Sequence, residues 1–390
     1  MARVLMAFYN GVEDPTNSNA LPAYYEAFVN GLDEAGNEVA VISHRLWGED
    51  FCEIDENTAQ TIRNWNPDIC FIFNNSFYDV SNIVSCPIVI YEADSPRYFS
   101  NKDAIKKNPD RYLYFIGQED DRETLKIDYG VKDSNIYYVP PFSEVRADDN
   151  VNQTTNISFI GTLFASTSTV AFDNFIKGSP SKEECEMMKN VLNHLRKNSQ
   201  VTPTELVYKY NITSELVARS MNLRELLMAL SAEHRIKVLS AVSDLGLDLY
   251  GTKNWQNAYY FNMDLNMAYI DKLVYSLKHT QDIYNSSKIG INVSHYQANS
   301  GFPWRVTDIM ASNACLVSEH HSDFIRAFGN IPIPTYESEA EAREVCKRLL
   351  GDESRRRDIV LQCQEVINAK YRFKNLLLKL EEYSGVVMHI

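Results

Sequence analysis

Short apolar, β-branched runs recur along this chain, and amphipathic stretches fill the intervals between them. In the first third the runs cover residues 3–8, 38–43, 68–73, 88–91, 112–116 and 136–139, each about the length of a strand. Helical patterns lie between them at 20–35, ended by Gly36 and Asn37, and at 57–65, ended by Asn66 and Pro67. Strand, helix, strand in this rhythm predicts a parallel sheet covered on both faces. Pro140 and Pro141 stop the last run, and the polar stretch 142–155 reads as a linker. The rhythm restarts at 156–160, 247–250, 288–293, 314–318 and 331–333. The expectation is an α/β protein of two doubly wound domains joined near residue 150, which suits a length of 390 residues.

Residues 170–245 break the rhythm. Stretches 181–197, 204–210 and 214–245 are helical by periodicity, with Leu223, Leu226, Leu227 and Leu230 on the apolar side. Packing alone explains such an elaboration; an acceptor-binding or dimerisation element, hence a homodimer, is the alternative. The tail, 339–350 and 354–382, is helical and charge-rich, and its last part is expected to pack back across the domain cleft.

The chain carries 38 basic and 52 acidic residues, a formal charge of −14. That argues against broad binding to nucleic acid or anionic lipid, while leaving room for a local phosphate pocket. Seven scattered cysteines without a CxxC pair fit free thiols in a reducing compartment. No apolar run reaches about 18 residues, so no transmembrane segment is expected and the cytoplasm is the default location. There is no GxGxxG, no Walker A loop and no His/Cys ligand spacing, so no metal is expected.

The segment 294–308 carries the most chemistry. Its loop should lie at the carboxyl end of a parallel strand, where open α/β sheets bind ligands. A helix should begin near Phe302 or Pro303, with Asn299 and Ser300 as caps, and its free amides suit a phosphate. Arg305, Asp308 and Ser312 fall on one helical face. A guanidinium for a phosphate and a carboxylate for a ribose diol, one turn apart, suit a nucleoside diphosphate; a surface ion pair on a capped helix fits as well.

The order Gly301-x-Pro303-x-Arg305-x-x-Asp308, followed by Met310, Ala311, Ala314 and Leu316, resembles the nucleotide-site signature of GT-B glycosyltransferases. It is most similar to the spore-maturation CgeB-like branch of the group-1 (GT4-related) enzymes. Asp308 stands where that family has Glu, and Asn313-Ala314 where it has a glycine turn. The resemblance implies two Rossmann-like domains facing a cleft: an acceptor-side domain over 1–150, and a nucleotide-sugar domain over 151–372 with the helical insertion at about 170–245. A helix over 373–390 would then cross back. It implies transfer of a sugar from a nucleotide-sugar co-substrate to a glycan or other hydroxyl acceptor, without a metal or other cofactor, in bacterial surface polysaccharide or glycoconjugate synthesis. Donor contacts would come from Gly161, Thr162, Gly251, Lys253, His295, Asn299, Ser300, Gly301, Phe302, Arg305 and Asp308. Asp94 and Glu13, on loops that follow strands of the first domain, and His295 are the catalytic candidates. An inverting enzyme needs a general base on the acceptor hydroxyl. A retaining one leans on electrostatic stabilisation. A non-catalytic partner subunit or a nucleotide-sugar epimerase on the same fold is the alternative.

Overall fold

Every second residue of the strand Arg3–Tyr9 (β1) enters a different core. Val4, Met6 and Phe8 join one apolar cluster, and Leu5 and Ala7 join another on the opposite face. A strand buried on both sides belongs to a parallel sheet with helices above and below. The computed structural model describes residues 1–9, 21–44, 54–74, 78–92, 94–98, 102–164, 172–199, 201 and 203–390. Among them, Glu38–His44 (β2), Ile69–Phe73 (β3), Ile88–Tyr91 (β4), Tyr112–Ile116 (β5) and Ile136–Tyr138 (β6) complete a sheet of order β2-β1-β3-β4-β5-β6. All its pairs are parallel.

A second parallel sheet has the order β11-β10-β9-β7-β8. It uses Thr155–Ile160 (β7), Leu247–Tyr250 (β8), Ser287–Asn292 (β9), Cys315–Glu319 (β10) and Thr335–Tyr336 (β11). The expected strand at 331–333 is not formed. Pro332 and Pro334 lack amide hydrogens, so no ladder can run through them. Pairing starts instead at Thr335, opposite Ser318.

The helical region also differs in detail. Lys182–Lys197 starts on a capping box between Ser181 and Glu184. The single helix expected over 214–245 is three pieces: Glu215–Arg219, then Leu223–Val242 capped by Asn222, then a 3-10 turn Ser243–Leu245. These helices share an apolar cluster of their own, including Val191, Leu195, Leu206 and Leu227.

Residues 142–155 are not a loose linker at their start. Phe142, Ser143 and Val145 are buried. The Ser143 N–H donates to the Tyr371 carbonyl at 2.9 Å. Arg372 Nη1 donates to the carbonyls of Ser143 and Val145 at 2.8 and 2.6 Å. The two passages between the lobes therefore run side by side. The tail breaks at Tyr371 and Arg372, and its last helix, Phe373–Ser384, lies on the first sheet. Phe373, Leu376, Leu377 and Leu380 close the cluster that holds Val4, Phe8, Phe28 and Phe71. Gly31 permits this approach, because a Cβ there would lie 2.2 Å from Cδ1 of Phe373.

Candidate functional site

The loop 293–303 follows β9 at the carboxyl end of the second sheet, facing the first lobe. The helix after it is Trp304–Ala311, with Pro303 at its N-cap and no side-chain cap. Asn299 and Ser300 do not cap it, because both are committed to the opposite lobe. The Asn299 N–H donates to Gln118 Oε1 at 2.9 Å, and its side-chain amide meets the Asp120 carboxylate. Ser300 Oγ accepts from the Asp120 N–H at 3.2 Å and donates to Asp323 Oδ2 at 3.1 Å. Gln297 Nε2 donates to Asp94 Oδ1 at 2.6 Å. Gly301 sits at the tightest point: a Cβ there would lie 2.4 Å from Gln118 Cβ and 2.7 Å from the Gly117 carbonyl oxygen.

Arg305 and Asp308 do not point at one place. Arg305 turns into the second sheet. Its Nε donates to the Ile160 carbonyl at 2.6 Å, and its Nη1 donates to Asn292 Oδ1 at 2.9 Å and to the Val293 carbonyl at 3.2 Å. Its guanidinium stands 4.5 Å from the centre of the Phe159 ring. Asp308 turns to the connection between lobes, where its Oδ1 accepts from Ser143 Oγ at 2.7 Å. Ser312 lies past the helix end and bonds back to the Ile309 carbonyl.

Burial pushes the Asp308 acid up to about 7, against the pull of Ser143 and Arg305. The folded state therefore holds a proton that the unfolded chain has released above about pH 4. Its stability falls as pH rises from there through 7. Asp308→Asn is expected to remove that fall, melting like the parent at pH 4 and higher than it at pH 8. Thermal melts at the two pH values check this.

Gly161, Thr162, Gly251 and Lys253 gather at the ends of β7 and β8. The Gly161 N–H donates to the Tyr250 carbonyl at 3.0 Å, and the Gly161 carbonyl accepts from Trp255 Nε1 at 2.6 Å. Thr162 and Thr252 share a hydroxyl bond of 2.6 Å. Gly251 has φ of 147°, and a Cβ there would lie 2.0 Å from the Gly161 oxygen, so only glycine fits. Lys253 is exposed. Glu13 lies outside the described residues.

Between the lobes is a cleft of about 450 Å³. Of the residues flagged by sequence, Asp94, His295, Gly301 and Phe302 line it. Gly161, Thr162, Gly251, Lys253, Asn299, Ser300, Arg305 and Asp308 do not line it.

Two arginines that sequence reasoning missed do line it. Arg224 and Arg235 lie on the Leu223–Val242 helix, about three turns apart and so on one face. Arg235 is only 5% exposed. Its guanidinium donates to the carbonyls of Thr162 and Val293 and lies 4.7 Å from the Phe164 ring centre. Among the described residues no carboxylate forms an ion pair with it. Burial, then the nearby Arg305, hold its pKa down to about 9, so it stays charged at neutral pH. Glu319 attracts it from beyond ion-pair distance, and an anionic ligand would add a counter-charge in direct contact. The sequence signal was a charge inside an apolar register, with Leu227, Ser231 and Val238 on the same side.

His295 stands beside this pair. Burial, and then the charges of Arg235 and Arg224, push its imidazole down to about 3. The ring is therefore neutral. Its Nδ1 accepts from the Gln297 N–H at 3.1 Å, which assigns the proton to Nε2. The site thus offers a fixed neutral donor next to two guanidiniums.

Residues 224–382 match the family model described as glycosyl transferase-like. No curated protein matches the sequence. Similar solved structures include sucrose-phosphate synthase from Thermosynechococcus elongatus, with 7% identity, a TM-score of 0.57 and 97% of each chain covered. T4 phage BGT in complex with its UDP-glucose substrate is 9% identical, with a TM-score of 0.52 and coverage of 98% of this chain and 97% of the other. The E. coli trehalose-6-phosphate structure bound with UDP-2-fluoro glucose is 10% identical, with a TM-score of 0.52 and coverage of 98% and 100%. The fold is GT-B, and its second lobe carries the glycosyl transferase-like segment.

Proposed function

We propose that this chain is a glycosyltransferase that moves a sugar, a hexose or a related one, from a nucleotide-sugar donor to a hydroxyl acceptor. The observation that carries the reading is the buried Arg235 guanidinium, which forms no ion pair among the described residues, with Arg224 and His295, on the second-lobe wall of the cleft. A leaving nucleoside diphosphate would meet the arginines, and the His295 Nε2–H would donate to the donor sugar or the phosphate. Arg305 would act one layer back, holding the ends of β7 and β9 that shape this wall. Asp94, tied to Gln297, would face the acceptor. Three of the structural neighbours, T4 phage BGT, the E. coli protein and Anabaena HepE, hold UDP or a UDP-sugar, which favours a uridine donor.

The CgeB-like branch rests on Gly301, Pro303 and Arg305, and with it a role in surface polysaccharide or glycoconjugate synthesis in the cytoplasm. No helix among the described residues is long and apolar enough to cross a membrane. Because arginines would balance the diphosphate, turnover is expected to survive EDTA unchanged; strict dependence on added magnesium or manganese would contradict this. The reading itself is tested by a thermal-shift screen of UDP, GDP, CMP and ADP sugars. One nucleotide class should raise the melting temperature in the parent and not in Arg235→Ala. A protein that responds to none of them would be a non-catalytic subunit instead.

A further inference from the structure

We propose that Glu319 is a positioning residue of the anion-binding wall, whose carboxylate sets His295 against Arg224 and Arg235. The inference rests on the glycosyltransferase reading above and deepens it. Glu319 ends β10, one residue past the register pair Ser318–Asn292, so it stands beside the start of the loop 293–303. Its side chain is 19% exposed, and its two oxygens hold two different elements. Oε2 accepts from the Ser294 N–H at 2.6 Å. Oε1 accepts from Nε2 of His234, the residue before Arg235 on the Leu223–Val242 helix. One carboxylate therefore joins the loop of His295 to the helix of the arginines.

The same helix holds His295 from its other side. Ser231 Oγ accepts from the Tyr296 N–H at 3.0 Å and donates to the Leu227 carbonyl at 2.6 Å. The amides on both flanks of His295 are thus fixed. Ser294 is fixed again at its side chain, where Oγ accepts from Asn292 Nδ2 at 3.0 Å and meets His321 Nε2 at 2.9 Å. Groups that must meet one diphosphate together need such a supporting layer, because their own side chains do not set their spacing.

Burial acts to raise the Glu319 pKa, but the bond and charge of His234, the charge of His321 and the Ser294 N–H outweigh it and hold the carboxyl below its ordinary range. It is therefore ionised at neutral pH. With both oxygens engaged, it attracts Arg235 and Arg305 from a distance, against the lowering that burial imposes on them. Its charge also opposes an incoming anion. Position and charge thus act on a diphosphate in opposite directions, and two substitutions separate them.

Pyrophosphate binding to the full chain, measured by calorimetry, tests this, with nucleotide-sugar turnover as the second readout. Glu319→Ala removes both ties. It should bind pyrophosphate about tenfold more weakly, with kcat lower by about 10–100-fold. Glu319→Gln keeps an acceptor for the Ser294 N–H and offers His234 a donor, while the charge is gone. It should restore turnover above the Ala variant and bind pyrophosphate about threefold more tightly than the parent. His234→Ala, at a side chain 26% exposed, cuts the tie on the helix side alone. It should weaken pyrophosphate binding in the same direction as Glu319→Ala, and it serves in place of that variant should the latter not fold. Parent-like binding in the Ala variants, or a Gln variant no better than Ala, would overturn the proposal. A parent that binds pyrophosphate but turns over no nucleotide-sugar would remove the transferase reading and leave this one in place. A parent that binds no pyrophosphate would overturn both.

Discussion

Arg235→Ala is expected to lower kcat/KM for the nucleotide-sugar by roughly 10²–10³-fold, the usual cost of removing one preorganised group that meets developing charge. The melting temperature should change little. The variant loses the bonds to Thr162 and Val293, but it also sheds a buried charge that pairs directly with no carboxylate among the described residues. Arg235→Lys keeps the charge and loses the planar fork, so it should fall between parent and Ala. Steady-state kinetics with melts on the same samples separate a site effect from misfolding. Unchanged donor kinetics in the Ala variant would remove Arg235 from the site.

Gly301→Val should be nearly as damaging by a different route. No side chain fits between Gly301 and the Gly117–Gln118 backbone, since Gln118 Cα would lie 3.0 Å from the new Cβ. The lobes must part to admit it. Parting strains the Asn299–Gln118 and Asp120–Ser300 bonds and moves the loop that carries His295. A displacement of about 1 Å between reacting groups can cost about 10²-fold in rate. Each lobe keeps its own core, so the melting temperature should hold while kcat falls. Small-angle scattering should show a more open particle. Normal turnover would mean that this close approach is incidental.

The sheets were legible because their strands are buried on both faces and read as unbroken apolar runs. That is why 88–91 and 112–116 match the structure to the residue; 247–250 also matches, although it is an edge strand with Asp248 in it and is buried only at alternate positions. At 331–333 the two isoleucines make an apolar run, but Pro332 between them and Pro334 after them keep a strand from forming. The site was legible only in outline. Segment 294–308 does lie at the cleft, but spacing gives a helical face and not the direction of a long side chain. Arg305 and Asp308 are one turn apart, yet one reaches the second sheet and the other the lobe connection. Arg235 is not legible in the sequence, because its surroundings are the ends of β7 and β9, far away in the chain. The break of the 214–245 pattern at Ser220–Asn222 is likewise invisible to periodicity: Asn222 fits a helix interior by position, yet it serves as a cap.

The Phe373–Ser384 helix has a consequence for synthesis. The lobe that leaves the ribosome first is the one whose apolar face is closed last. Until Phe373 and Leu377 have been made, the side of the first sheet carrying Val4, Met6 and Phe71 lacks part of its cover. At elongation rates of about 5–20 residues per second, the wait from β6 to this helix is on the order of ten to fifty seconds. During that time the nascent lobe is a natural client for a ribosome-associated chaperone.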